Sequence, residues 1–191
     1  MLLAIPSREK LSRVLRILLD ESEFLSPFGV RSLSKRHAAE PYELSIHGRR
    51  HRVAYVPGES DSPMFGGNSN WRGPIWLPIN YLLIEALERY HAFFGDEFRV
   101  ECPAGSGHRL SLREVSLELN NRLTRLFLQP SSSGSRPCLG GSCCPEDCAD
   151  WQEELLFHEY FHGDTGEGLG ASHQTGWTAL IANCIEKRIE S

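Results

Sequence analysis

A chain of 191 residues, 40% hydrophobic and 24% charged, has the size and composition of one folded domain with its own core. Its net charge of -5, with no block of Lys or Arg, argues against nucleic acid as a partner and fits a neutral or small substrate better. No apolar run approaches the roughly 20 residues of a membrane span. The apolar start MLLAIPSREK is too short for a signal-peptide core, so the expected location is cytoplasmic and the six cysteines are expected as reduced thiols.

In chain order, the first expected element is a helix from Ser7 to Glu21, with Ser7 as its cap. Leu11, Val14, Leu15 and Leu18 recur at helical spacing there. Loop signals follow, SPFGVRSLS and EPYEL. A hairpin is expected from Glu43 to Val56, because Leu44 and Ile46 alternate before the turn HGRR and Val53 and Tyr55 alternate after it. Pro57 to Pro78 is rich in Gly, Pro, Ser and Asn yet carries two tryptophans, which marks an ordered loop rather than a linker.

Ile79 to Phe94 reads as the clearest helix, ended by Gly95. Ser111 to Leu128 reads as another, opened by the capping box Ser111-Leu-Arg-Glu114. Residues 129–150 read as an exposed insert. Trp151 to Tyr160 is apolar and aromatic, GDTGEGLG is a Gly-rich turn, and a last helix is expected from about Gly176 to Glu190. Helices joined by long ordered loops, with one small hairpin, suit an all-α helical toroid whose loops at one end make a site.

Two segments hold the residue types of a sugar-cleaving site. LFHEYFHGDTGEGLGASHQTGWTA places Glu159, His173, Gln174 and Trp177 in a Gly-rich frame. An inverting glycosidase needs one carboxyl group to protonate the leaving oxygen and a second to deprotonate a water, about 6.5–9.5 Å apart. Glu159, at the end of an aromatic stretch beside a turn, is placed to be that base; the bland reading is a solvated Glu beside a plain turn. GGNSNWRGPIWLPINY offers Trp71, Arg72 and Trp76. Aromatics bury the C–H faces of sugars, and polar groups bind their hydroxyls. The tryptophans equally suit core bracing.

These two segments resemble the hallmark segments of bacterial family 63-like glycoside hydrolases, the mannosyl-oligosaccharide glucosidase and mannosylglycerate hydrolase type. FLSPFGVRSLSKRH, GDEFRVECPAGSG and LNNRLTRLFL resemble that family as well, so the likeness runs from about Glu23 to Ile185. A more distant parallel is with trehalases, whose Gly-Trp-Thr helix start is matched by Gly176-Trp177-Thr178. The resemblance implies the C-terminal part of an (α/α)6 barrel and inverting hydrolysis of an α-linked sugar, often an α-glucoside, with no cofactor and no metal. It puts the general base on Glu159 and substrate contacts around Trp71, Arg72, Trp76, His173, Gln174 and Trp177.

The family's general acid is an Asp upstream of the matched region, and no residue here matches its motif. Glu59 and Asp61 of the GESDSP loop are the nearby carboxylates that could be offered as the acid instead, but the resemblance gives that loop to binding or structure. A full barrel takes about twelve helices and roughly 400 residues. The expectation is therefore a truncated or split form, inactive alone, completed by a second chain or by self-association, or kept as a sugar-binding module. Two readings from other classes compete. HEYFH matches the zinc-hydrolase pattern H-E-x-x-H, which on a helix would put His158 and His162 on the metal and make Glu159 the base. Cys138, Cys143, Cys144 and Cys148, spaced C-x4-C-C-x3-C, could organise a zinc loop, although that spacing lacks paired C-x2-C knuckles.

Overall fold

The computed structural model describes residues 6–63, 69–128, 135–140 and 155–190. Its helices are α1 (Arg8–Leu18), α2 (Leu77–Phe94), α3 (Leu112–Thr124), α4 (Thr175–Thr178) and α5 (Ile181–Glu190). Four two-stranded antiparallel ladders lie between them: β1 (Leu25–Ser26) with β2 (Gly29–Val30), β3 (Tyr42–Ile46) with β4 (Arg49–Val53), β5 (Arg99–Glu101) with β6 (Arg109–Ser111), and β7 (Tyr160–Phe161) with β8 (Gly168–Leu169). The described residues are thus helices interleaved with small ladders, not an all-α set with a single hairpin. The three unforeseen ladders have strands of only two or three residues, too short to display a period of two.

The core is helical. α3 packs on both α2 and α5. Leu112, Val115, Leu119 and Leu123 of α3, Leu77 and Ile84 of α2, and Ile181 and Cys184 of α5 are all buried. Ser111 caps α3 with the full reciprocal box: its hydroxyl accepts from the Glu114 amide, and the Glu114 carboxylate accepts from the Ser111 amide at 2.7 Å. Helix α1 buries Leu11 and Leu15 and leaves Val14 and Ile17 exposed, as Ile79 and Leu82 are on α2.

The expected last helix is broken in two, α4 and α5, at Ala179–Leu180. The β3–β4 hairpin turns at His47–Gly48, both at positive φ, as a tight two-residue turn requires.

The contacts that position the loops are single bridges. Ile75 pairs with Arg31 on one side and with Phe161 on the other. The Ile75 amide donates to the Phe161 carbonyl at 2.8 Å, and the Phe161 amide donates back at 2.9 Å. Asn80 of α2, buried, accepts from the Val30 amide at 2.7 Å and donates to the Val30 and Trp76 carbonyls. Both sequence segments with sugar-site composition are thereby fastened side by side over the helical core.

Candidate active site

The Ile75–Phe161 bridge sets Trp76 and Tyr160 side by side, with ring centroids 4.9 Å apart. Trp71 stacks on the outer side of Trp76 at 3.9 Å, the two rings within 1° of parallel. Trp177 meets Trp76 edge-on at 6.1 Å. The two tryptophans of the first segment therefore divide the work. Trp76 is 3% exposed and gives its indole N–H to the Asn70 carbonyl, so it braces the loop. Trp71 is 38% exposed and presents the free aromatic face. Arg72 is turned inward: it is buried, and its guanidinium pairs with Asp61 at 2.5 Å and with the Ser60 hydroxyl at 3.2 Å.

Glu159 is half-buried beside this aromatic group. Its carboxylate accepts from the Ser69 hydroxyl at 2.7 Å and from the Ala171 amide at 3.4 Å. Its backbone is held as well. The Glu159 amide donates to the Ala171 carbonyl at 2.8 Å, and the Trp177 indole N–H donates to the Glu159 carbonyl at 3.1 Å. The Thr178 hydroxyl donates to the His158 carbonyl. Helix α4 thus reaches back and fixes two consecutive peptides around Glu159. His173 and Gln174, at the entry to α4, are exposed; the Gln174 amide ties this entry to the Phe157 carbonyl at 2.8 Å.

A second carboxylate stands next to the first. Glu59 accepts from the Tyr160 hydroxyl at 2.7 Å and from the Gly170 amide at 3.3 Å. Burial, and then the Glu59 carboxylate, push the Tyr160 phenol far above its ordinary range, so it remains a donor. Glu59, Ser69 and Tyr160 were not among the residues expected to form the site. Glu59 was visible as a carboxylate of the GESDSP loop, but its link to Tyr160 spans 101 residues and leaves no local signal.

Below the site, Arg31 donates to the Tyr55 hydroxyl and to Asp164, both at 3.0 Å, and Lys35 joins Asp164 at 3.1 Å. Burial pushes the Tyr55 phenol up to about 12. Burial would also raise Asp164, but the hydrogen bonds from Arg31 and Lys35 outweigh it and hold this carboxyl below the usual carboxylate range. Glycine is needed where these parts meet: a Cβ on Gly163 would stand 2.5 Å from the Gly73 carbonyl and 2.8 Å from the Tyr55 hydroxyl.

The zinc-hydrolase reading needed a helix through HEYFH, and the chain there is extended. Phe157 bridges His173 and Tyr160–Phe161 is a strand, so His158 and His162 do not meet across a helical turn. The His158 ring packs against Gly168, and burial holds its pKa down. The His162 Nδ1 accepts from the Asp164 and Thr165 amides. Among the described residues no group of three His, Cys, Asp or Glu could hold a metal ion. Cys138 is a buried free thiol whose pKa burial raises to about 11; Cys143, Cys144 and Cys148 lie outside the described residues, as does most of the expected insert at 129–150. No described helix is long and apolar enough to cross a membrane.

The family model described as "mannosylglycerate hydrolase MGH1-like glycoside hydrolase domain" matches residues 1–178. An uncharacterized protein of Saccharomyces cerevisiae is 51% identical over 187 residues, 97% of this chain and 17% of its own length. The mannosyl-oligosaccharide glucosidase of the same yeast is 24% identical over 178 residues, 92% of this chain and 15% of that protein. A probable mannosyl-oligosaccharide glucosidase of Schizosaccharomyces pombe is 24% identical over 179 residues, 93% of this chain and again 15% of that protein. The chain therefore spans about a sixth of the length of these relatives.

Proposed function

Because this chain belongs to the MGH1-like glycoside hydrolase family, we propose that it is the part of an inverting α-glycosidase that carries the general base, Glu159. The observation that supports this most is the seat of that carboxylate. It is half-buried, held through both oxygens and both flanking backbone groups, and placed beside stacked aromatic rings that end in the exposed face of Trp71. A base of this kind takes a proton from the attacking water, and fixing it in advance removes part of the ordering the reaction would otherwise require. The substrate class is an α-linked glycoside, with glucosyl-oligosaccharides and mannosylglycerate the first to try, given the names of the relatives.

Trp71 and Trp177 would line the sugar, with His173 and Gln174 at the rim; Trp76 and Arg72 would support it from behind. The general acid belongs to a part of the barrel outside this chain, supplied by the same polypeptide or by a partner. The exposed apolar residues Val14, Ile17, Ile79 and Leu82 on α1 and α2 fit helix faces that the rest of an (α/α) wall would cover. The test is Glu159→Gln in the full-length protein, with the anomer first formed by the parent enzyme followed by NMR. Loss of turnover by about three orders of magnitude, together with an inverted first product, supports the reading. Retained turnover removes Glu159 as the base, and a retained anomer removes the inverting mechanism.

A further inference from the structure

Glu59 of the GESDSP loop and Ser69 of the tryptophan segment both reach the Glu159 stretch and the turn that faces it. Ser69 holds Glu159 directly. Glu59 holds the residues on either side of it. Its two oxygens take the hydroxyl of Tyr160, the next residue in the strand, and the amide of Gly170, the neighbour of Ala171, whose own amide binds Glu159.

We propose that Glu59 is a positioning residue for Glu159: it clamps Tyr160 and the Gly170–Ala171 turn, and so sets where the Glu159 carboxylate points. The assignment rests on the reading of Glu159 as the base.

Three features make the clamp more than a surface contact. Tyr160 is wholly buried and its hydroxyl donates to Glu59, so this carboxylate helps to fix where the ring sits. Gly170 is the hub between the two carboxylates. It has φ +70, and a Cβ there would lie 2.8 Å from the Tyr160 ring and 2.9 Å from a Glu159 oxygen, so a small shift of the turn moves both. Glu59 is also exposed, whereas Tyr160 is wholly buried. The carboxylate therefore stays in contact with water while it accepts from the phenol, and a hydrogen bond to a carboxylate is stronger than one between neutral groups.

A misplacement of a reacting group by about 1 Å can cost about a hundredfold in rate. Four variants of the full-length protein, Glu59→Ala, Glu59→Gln, Tyr160→Phe and the Glu59→Ala/Tyr160→Phe pair, would be compared with Glu159→Gln on one α-glycoside. Glu59→Ala and Tyr160→Phe should each lower kcat about 10- to 100-fold, with KM within about twofold, at a temperature where a melt shows both variants folded. The pair should cost no more than the worse single change, because one clamp is being removed twice. Glu59→Gln, which keeps one acceptor oxygen, should recover part of the loss. The proposal is overturned if Glu59→Ala leaves kcat at the parent value while Glu159→Gln abolishes it. It is equally overturned if the loss falls on KM alone, which would make Glu59 a substrate contact, or if the pair is additive. An active Glu159→Gln variant would sink the base assignment instead, and the clamp's role with it. If Glu59→Ala does not fold, Tyr160→Phe carries the same comparison.

Discussion

The helical core and the loop-built site of this molecule are held together by different chemistry. In the core, α2, α3 and α5 meet mainly through Leu, Val, Ile and Cys side chains that are at most 4% exposed, and such apolar contacts are replaceable by others of similar volume. In the site, few contacts are apolar apart from the stacked rings. Residues 57–63, 69–76 and 157–178 are fixed by single bridges, side-chain tethers to backbone, and glycines that let strands touch. A core of the first kind tolerates exchange and supplies stability. A site of the second kind supplies position, and each tether is specific to one atom. The two regions should therefore fail in opposite ways when altered.

Glu159→Gln gives the largest expected effect and should leave the core untouched: turnover falls by about three orders of magnitude while the thermal midpoint moves by less than about 2 °C. A drop in the midpoint comparable to that of a core variant would mean that Glu159 is a structural carboxylate. The reverse change is Leu119→Ala, which opens a cavity at a fully buried position on α3. A cost of about 2–5 kcal/mol is expected, read as a fall of roughly 5–15 °C in the melting midpoint. At temperatures where the variant stays folded, KM should not change. If activity falls before the fold does, core and site are more tightly coupled than this division allows.

Gly163→Ala tests the seam between the two regions. Its new methyl would meet the Gly73 carbonyl and the Tyr55 hydroxyl, and neither retreats freely, because Tyr55 is held by Arg31 and the Gly73 amide is tied to the Ser32 hydroxyl. Overpacking of this sort costs about 1–3 kcal/mol. Here it should lower stability and activity together, which a melt and a rate measured on one preparation would show.

The same division explains what the sequence made legible. The capping box at Ser111 and Glu114, the end of α2 at Gly95 and the β3–β4 hairpin all announce themselves within a dozen residues, because they rest on local period and local hydrogen bonds. The α2 face read from the sequence, Ile79, Leu82, Leu83, Ala86, Leu87 and Tyr90, is instead exposed or half-buried except at Leu87, and the helix buries Leu77, Asn80, Ile84 and Leu87. The site's composition was legible too, since Trp71, Trp76, Glu159 and Trp177 stand in two unusual segments. Its geometry was not. HEYFH satisfies a helical motif by letter yet lies extended, because Tyr160 and Phe161 are both buried and the Phe161 backbone pairs with Ile75 across the fold. That Trp76 braces and Trp71 faces outward, or that Arg72 turns in to Asp61, depends on contacts that residue types leave open. The role of Glu59 left no local signal either, since its partners lie 101 and 111 residues away.

The smallest expected effect is a pH dependence at the base of the site. Asp164 is held below the usual carboxylate range by Arg31 and Lys35. A carboxyl whose folded pKa is depressed adds stability above its unfolded value, near about 4, and that contribution is lost as pH falls through the lower folded value. Asp164→Asn removes the charge but leaves an oxygen for Arg31, which also keeps its bonds to the Tyr55 hydroxyl and the Leu25 carbonyl. The loss should therefore be modest, about 1 kcal/mol, with Lys35 adding little because it is largely exposed. Melting the parent and the variant side by side should show a constant gap above about pH 5 that closes as pH drops toward about 3. A gap that persists at low pH would mean that Asp164 acts through its shape and hydrogen bonds rather than its charge, and the seam below the site would then belong, by its chemistry, to the core.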